Sequence, residues 1–235
     1  MLKHVDVTAY LDRIGLDGPR DLPELHRAHL STVPFENLSL DKVSLEPGDL
    51  FDKIVRQRRG GFCYELNGLF ALLLGELGHT VTRLAARVFG AERLGPPYDH
   101  LALLVDDRWL ADVGFGDHST FPLDWRSRAD QEDPGGRFRL EDTTDGDVLV
   151  LRNGKPAYLL ETRPRELADF EATCWFQRTN PASHFTHKTI CSRLTPDGRI
   201  TISDHTLIVT TPSGRSETPL TDESRREAYR THFGL

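Results

Sequence analysis

The chain has 235 residues, of which 38% are hydrophobic and 28% are charged, proportions that fit a soluble globular protein and exclude a disordered or membrane-embedded one. Its formal charge of -7, from 36 acidic and 29 basic residues, argues against nucleic acid as the main partner, because phosphate binding needs a basic face. The three cysteines, Cys63, Cys174 and Cys191, are odd in number and widely spaced, so we predict neither a disulfide framework nor a CxxC metal site.

The sequence also argues against a membrane location. Its longest apolar stretch, residues 69–74, is far shorter than the roughly 20 residues that span a bilayer. The N-terminal segment has acidic residues within its apolar pattern and lacks the uninterrupted apolar region of a secretory signal. We therefore expect a cytoplasmic protein that has no membrane partner and carries at least one free thiol.

The first part of the chain has the apolar spacing of helices. Asp6 is predicted to cap a short helix that stops at Gly15, and Asp21 to cap a second helix that Pro34 ends. The PFENL segment follows as a predicted loop. A third helical stripe covers residues 50–55 and stops before a pair of glycines.

A fourth, buried helix is predicted from Cys63 to Leu77, closed by Gly78. Gly60 and Gly61 break the preceding stripe, so Cys63 lies in the first turn of this helix. The unpaired N–H groups and the helix dipole favour a thiolate at that position. An isolated free cysteine is more often an inert core residue, but the flanking glycines here favour a functional thiol.

After Gly78 the apolar spacing changes to that of antiparallel strands. The predicted strands cover residues 80–89, 100–105, 108–113, 136–141, 147–152, 155–160, 187–193, 199–203 and 205–211. The Asn153-Gly154 pair is the strongest hairpin signal in the chain. One short helix is predicted from Pro164 to Thr173, and a polar C-terminal helix, capped by Thr221, over about residues 221–230.

A histidine and an aspartate have the positions that a nucleophilic cysteine requires. The cysteine needs a histidine partner and a third group that fixes the histidine tautomer. His100 begins one strand, and Asp112 is near the end of the next. If the loop around Asp106 has an odd number of residues, the two lie directly opposite on one face, whereas a two-residue loop at Asp106-Asp107 would separate them. Each alone is typical of a surface residue, but together with Cys63 they indicate a catalytic triad.

These residues resemble the arylamine N-acetyltransferase family. Members of that family carry RGG-aromatic-Cys, a histidine before an apolar strand, and DVGFG, and all three motifs occur here in that order. Further matching pieces are YLDRIGL, PFENL at 34–38, DFE at 169–171 and FGL at 233–235. The resemblance covers essentially the whole chain, and the ordered set of motifs is highly specific.

The resemblance implies an α+β fold in three parts, with a core laid out like that of a cysteine protease. Residues 1–78 would form an N-terminal helical bundle that carries the nucleophile, residues 79–180 a central antiparallel β-barrel, and residues 181–235 a C-terminal α/β lid. By resemblance Cys63 is the acyl-accepting nucleophile, His100 its base and Asp112 the residue that orients the base.

Further site residues are also implied by the resemblance. Glu36 and Arg59 are expected to form an ion pair that braces the catalytic loop. Asp117 is a loop carboxylate close to the expected pocket, and we interpret it as solvent-facing rather than as an acceptor-binding group. Four residues are expected to line the substrate site: Phe35, Gly114, Phe115 and Gly116.

No metal is predicted. His184 and His187 are three residues apart, but Pro181 and the strand-like surroundings contradict a helical register that would bring them together. Cys174 and Cys191 are interpreted as structural thiols. No cofactor is expected to be bound permanently.

The implied activity is acyl-CoA-dependent N-acetyl transfer, with acetyl-CoA as the donor substrate and a small arylamine or arylhydrazine as acceptor. The acetyl group would pass through a cysteine acyl-enzyme in a ping-pong reaction. The runner-up is an amide synthase that releases or cyclises a polyketide thioester with the same triad. A hydrolase would also use these residues, and the resemblance favours the transferase. A non-enzymatic binding module is disfavoured because an unused triad has no reason to stay complete.

Overall fold

The computed structural model describes residues 5–90 and 93–235. Residues 91–92 and residues 1–4, part of the N-terminal segment in which no signal was predicted, lie outside the described residues. The helices are α1 Val7–Arg13, α2 Leu22–Thr32, α3 Pro47–Phe51, α4 Cys63–Glu76, α5 Glu171–Thr179 and α6 Asp222–Phe233. The strands are β1 Phe35–Glu36, β2 Val81–Val88, β3 His100–Val105, β4 Trp109–Ala111, β5 Leu123–Asp124, β6 Gln131–Asp133, β7 Gly136–Asp142, β8 Val148–Arg152, β9 Lys155–Arg165, β10 Ile190–Thr195, β11 Gly198–Ser203, β12 Thr206–Thr211 and β13 Gly214–Pro219.

The predicted helix starts are confirmed. Asp6 accepts a hydrogen bond from the backbone N–H of Ala9 at 3.0 Å, and Asp21 accepts one from Glu24 at 3.0 Å. Thr221 caps α6 in the same way. Each cap satisfies an N–H group that the first turn of a helix leaves unpaired.

Helix α4 is the centre of the helical region and is buried along most of its length. The two glycines before it are required by close contacts. A Cβ at Gly60 would lie 2.0 Å from the carbonyl oxygen of Pro34, and one at Gly61 would lie 2.6 Å from the Glu65 carboxylate. That carboxylate accepts a hydrogen bond from Phe62 N at 3.0 Å, so it caps the helix that begins at Cys63.

Eight strands form a nearly closed antiparallel barrel in the order β5-β4-β3-β2-β9-β8-β7-β6. The side chain of Gln131 in β6 spans the gap to β5, accepting from Asp124 N at 2.7 Å and donating to Asp124 O at 3.0 Å. Alternate residues of β3 face two cores: Leu101 and Leu103 pack against the helices, and Ala102 packs inside the barrel. The mixed helix and barrel fold expected from the sequence is confirmed.

A second sheet follows the barrel in the order β1-β10-β11-β12-β13, and α6 packs on it. Its first strand comes from the N-terminal part of the chain: Phe35 pairs with Ser192, and Glu36 pairs with Cys191. The start of PFENL, predicted as loop, is therefore a strand. Strand β13 was not predicted because all of its residues are exposed and none forms an apolar alternation.

The helix predicted from Pro164 to Thr173 is wrong. Strand β9 continues to Arg165, a 3₁₀ turn covers Leu167–Phe170, and α5 begins only at Glu171. Pro164 is tolerated in the ladder because it pairs with Leu84 beside a bulge between β2 and β9, where regular pairing is interrupted. The predicted Asn153-Gly154 hairpin is confirmed, and both residues have positive φ, at 51° and 75°.

Among the described residues, no helix combines the length and the apolar composition needed to cross a membrane.

Candidate active site

A cavity of about 570 Å³ opens between the start of α4, the start of β3 and the segment that follows α5. Cys63 and His100 line it, together with Gly114 and Phe115 from the loop after β4. Phe35 of β1 contributes to the wall. The cavity thus joins residues from the three predicted parts of the chain, and a concave site of this kind is where small molecules bind.

The predicted nucleophile is a free thiol in the first turn of α4. Cys63 is 8% exposed, and it lines the cavity. The helix N-terminus favours negative charge on the sulfur. Cys63 is also near enough to His100 to contribute to the raised pKa of its ring.

His100 and Asp112 form a buried pair. The Nε2 atom of His100 lies 2.7 Å from Oδ2 of Asp112, which leaves Nδ1 as the ring nitrogen available to Cys63. Burial would lower the pKa of His100, but the charge and hydrogen bond of Asp112, together with Cys63, raise it above its ordinary value. Burial would likewise raise the pKa of Asp112, and the His100 contact holds it below its ordinary range. The imidazolium and the carboxylate therefore stabilise each other.

The hairpin that carries this pair has the odd loop that the sequence argument required, residues 106–108. The predicted register, which placed His100 directly opposite Asp112, is wrong by two residues. The observed pairing places Leu103 opposite Ala111. β4 ends at Ala111, so Asp112 leaves the ladder and reaches His100 diagonally. Diagonal neighbours on one face remain within reach of long side chains.

Asn67, which the sequence analysis missed, holds Asp112 from the helix side. Its Nδ2 donates to Asp112 Oδ1 at 2.9 Å and to the carbonyl of Leu101 at 2.6 Å. Its Oδ1 accepts from Val113 N at 2.9 Å, and Gly114 N donates to the same Asp112 oxygen at 3.0 Å. One side chain of α4 thereby fixes both strands of the hairpin relative to Cys63.

An aromatic cluster surrounds His100 on the barrel side. The ring of Phe115 packs edge-on at 5.2 Å, and that of Tyr158 lies 5.5 Å away. His118 stacks on Tyr158 at 5.3 Å, and burial lowers the pKa of His118 to about 4. These rings exclude water from the back of the His100–Asp112 pair.

The four residues expected to line the substrate site divide into two groups. Phe35, Gly114 and Phe115 line the cavity, whereas Gly116 is not among the described residues that line it. A Cβ at Gly114 would lie 2.7 Å from Cys63 Cα, so only glycine permits this approach to the helix. Gly116 instead adopts a φ of +91° against the Phe35 ring.

Glu36 and Arg59 form the expected ion pair. Arg59 donates to Oε1 of Glu36 from Nη2 at 2.7 Å and from Nε at 3.0 Å. The Glu36 side chain is fully buried, and that of Arg59 is 30% exposed. The other carboxylate oxygen of Glu36 accepts from Leu38 N at 2.9 Å. The pair joins β1 to the segment just before Cys63.

Asp117 is solvent-facing, with a side chain that is 62% exposed. It forms ion pairs with Arg152 of β8 at 3.0 Å and with Arg199 of β11 at 3.3 Å. These arginines balance its charge, and the residue links the barrel to the second sheet.

The remaining cysteines and histidines that the sequence analysis considered do not lie together at one site. Burial raises the pKa of Cys174 to about 12 and that of Cys191 well above its ordinary value. His184 stacks on a neighbouring phenylalanine, and His187 donates to the carbonyl of Pro181 at 2.6 Å. Within residues 5–90 and 93–235, no group of three or more such side chains is arranged to hold a metal ion.

Known proteins share both this sequence pattern and this geometry. The family model described as N-acetyltransferase matches residues 20–235 of the chain. A protein of Mycobacterium bovis named arylamine N-acetyltransferase is 36% identical over 239 residues, which cover 93% of this chain and 84% of that protein. The chain belongs to the arylamine N-acetyltransferase family. A Salmonella typhimurium relative, named arylamine N-acetyltransferase / N-hydroxyarylamine O-acetyltransferase, is 34% identical over 196 residues, covering 79% of this chain and 70% of that protein.

Solved structures of the family have the same fold. The M. smegmatis arylamine N-acetyltransferase superposes with a TM-score of 0.91 at 33% identity, covering 98% of this chain and 92% of that one. The Mycobacterium marinum enzyme, solved in complex with CoA, superposes with a TM-score of 0.89 at 32% identity, covering 98% and 93%. Membership in this family makes the chain an acetyltransferase.

Proposed function

We propose that the chain transfers an acetyl group from acetyl-CoA to an arylamine or arylhydrazine through a covalent acetyl-enzyme on Cys63. His100 acts as the proton carrier, and Asp112 orients it. The observation that carries this proposal is the convergence of Cys63 and the His100–Asp112 pair at one cavity, with 2.7 Å between the His100 and Asp112 side chains.

The first half-reaction uses the charge pair. The Cys63 thiolate attacks the thioester carbonyl of acetyl-CoA, and the carbon–sulfur bond to CoA then breaks. The CoA thiolate leaves with a proton from the His100 imidazolium, whose charge Asp112 has stabilised until that point. The enzyme retains the acetyl group on Cys63, and His100 becomes neutral.

In the second half-reaction His100 accepts a proton instead of donating one. The amine nitrogen attacks the acetyl-Cys63 carbonyl while neutral His100 removes a proton from it. The amide forms, the bond to sulfur breaks, and the thiolate–imidazolium pair is restored. Donor and acceptor thus use the cavity in turn, which is ping-pong kinetics.

The cavity wall suits an aromatic acceptor. Phe35, Phe62, Phe115 and Phe185 line it, and aromatic side chains bind a flat ring through stacked or edge-on contacts. The names of the relatives support arylamines as the acceptor class, and the CoA complex of the M. marinum protein supports acetyl-CoA as the donor. In this proposal acetyl-CoA is a substrate, and no cofactor is permanently bound.

The test is acetylation without acceptor. Mixed with acetyl-CoA alone, the protein should release one equivalent of CoA in a burst and gain one acetyl group on the Cys63 peptide, measured by mass spectrometry. Cys63→Ala should fold normally and show no burst, because it removes the attacking sulfur but little volume. Cys174→Ala is the matched control and should keep the burst. A burst in Cys63→Ala would overturn the proposal.

A further inference from the structure

The backbone N–H of Asp112 has an unusual acceptor. The β3–β4 ladder ends with Ala111, so strand pairing supplies no partner for the next residue. The N–H of Asp112 donates instead to Nε2 of His26, at 3.0 Å. His26 lies in α2, 86 residues earlier in the chain, and is fully buried.

The hydrogen bonds of His26 define its tautomer. Because Nε2 accepts the Asp112 N–H, the ring proton lies on Nδ1, which donates to the carbonyl of Thr120 at 2.9 Å. Burial lowers the pKa of His26, and the Thr120 hydrogen bond and the Asp112 charge only partly oppose this, so the ring stays neutral as the acceptor role requires. One imidazole therefore clamps the loop after β4 at two points.

We propose that His26 is a positioning residue for acetyl transfer, fixing the Asp112 backbone and through it the carboxylate that orients His100. The inference rests on the proposed role of Asp112. Asn67 and Gly114 hold the carboxylate, and Asn67 also accepts from the next backbone N–H, that of Val113. The N–H of Asp112 itself donates to His26. Without it the N–H is buried and unpaired, and the peptide must rotate to find another acceptor.

The chain provides a matched control for this role. His29 lies one turn further along α2 and is also fully buried. Neither of its ring nitrogens has a hydrogen-bond partner among the described residues, and its ring packs on Phe70 at 5.4 Å. A substitution at His29 therefore perturbs the same helix and the same core without touching Asp112.

The experiment compares two amides that each replace one nitrogen of the ring. In His26→Gln the side-chain oxygen reaches the position of Nε2 and still accepts from Asp112. In His26→Asn the shorter side chain reaches only the position of Nδ1 and serves Thr120 alone. His29→Gln and His29→Asn are the controls. The readouts are the rate of the acetyl-CoA burst and the thermal midpoint of each variant.

We expect His26→Asn to slow the burst about 100-fold and His26→Gln to stay within about tenfold of the wild type, since a displacement near 1 Å can cost two orders of magnitude. Both His29 variants should keep the wild-type rate. If His26→Asn does not fold, His26→Met replaces it, because methionine fills the space and offers no comparable acceptor.

Two results would overturn the inference. One is equal burst rates in His26→Asn and His26→Gln, and the other is rates that follow the thermal midpoints of all four variants. The proposed function fails separately, through a burst in Cys63→Ala. When Cys63 is required and His26→Asn is as fast as His29→Asn, only the positioning role of His26 is wrong.

Discussion

At the scale of single residues, Asp112 is the most constrained group of the site. Oδ2 contacts His100, Oδ1 accepts from Asn67 and Gly114, and the backbone N–H donates to His26. A buried carboxylate with this many partners is held in one orientation. Its environment therefore favours the charged form despite the loss of hydration.

We expect Asp112→Asn to lower kcat/KM by about 10⁴-fold, because an amide nitrogen facing His100 imposes the wrong tautomer on the ring. The amide has nearly the shape of the carboxylate, so the far-UV circular dichroism and the thermal midpoint should stay near those of the wild type. Asp145→Asn, at an exposed turn, is the control and should be fully active. An unfolded Asp112→Asn protein would mean that the carboxylate is structural.

The residues of the proposed triad could be predicted from the sequence, but the residues that support them could not. Cys63, His100 and Asp112 follow from motifs and spacing. In the structure Cys63 and His100 line one cavity, and Asp112 is hydrogen-bonded to His100. Asn67 had a signal, since it follows Cys63 by one helical turn in a largely apolar helix. His26 had only a weak signal, as a histidine on the buried face of α2. Its partner is fixed by packing between α2 and the barrel, which local spacing does not encode.

At the scale of elements, the sequence-based prediction succeeded where local side chains determine where an element starts or turns. Side-chain caps define the starts of α1, α2 and α6, and the Asn153-Gly154 turn defines the β8–β9 hairpin. The prediction of elements failed where pairing with a distant strand determines the secondary structure. The end of β9 is a strand because β2 supplies its partner, and a proline-containing segment carries no local sign of that.

The Glu36–Arg59 pair, which joins β1 to the segment before α4, should matter for stability. Arg59→Ala leaves the buried Glu36 carboxylate without its cation, and we expect the free energy of unfolding to fall by roughly 3 kcal/mol. Arg215→Ala is the control, because Arg215 and its partner Glu217 are 59% and 54% exposed, and it should cost less than about 1 kcal/mol. Urea denaturation measures both values, and equal losses would show that burial of the pair is unimportant.

At the scale of the whole molecule, buried histidines make stability depend on pH. Burial lowers the pKa of His26, His29 and His118 below the ordinary histidine value near 6.5. For His118 the charges of His100 and Arg152 add to that effect, and Asp112 opposes it. Unfolding then takes up protons below about pH 6.5, so the free energy of unfolding falls as the pH decreases. The raised pKa of His100 has a different effect. Its contribution to stability is complete below about pH 6.5 and is progressively lost as the pH rises above that value.

We therefore expect His118→Phe to flatten the pH dependence of stability. Phenylalanine keeps the ring among its aromatic neighbours and removes the buried Nε2, which has no partner among the described residues. Between about pH 6.5 and pH 5, the slope of the free energy of unfolding against pH should be smaller in this variant than in the wild type. The expected difference between the two slopes is about 1.4 kcal/mol per pH unit. Denaturation at several pH values gives the slopes. Identical slopes would mean that His118 titrates normally in the folded protein.

The contribution of β1 to the second sheet has a consequence for how the protein is made. Asn37, at the end of β1, bonds Ile190 at the start of β10, 153 residues later in the chain. A ribosome that adds about 5–20 residues per second needs roughly 8–30 s to deliver that partner. In the last part of this interval, once Asp112 has been added, the nascent chain contains Cys63, His100 and Asp112 but still lacks Phe185 and Ile190, which also line the cavity. We expect the Cys63 thiol to stay open to solvent and to cellular electrophiles until translation is nearly complete.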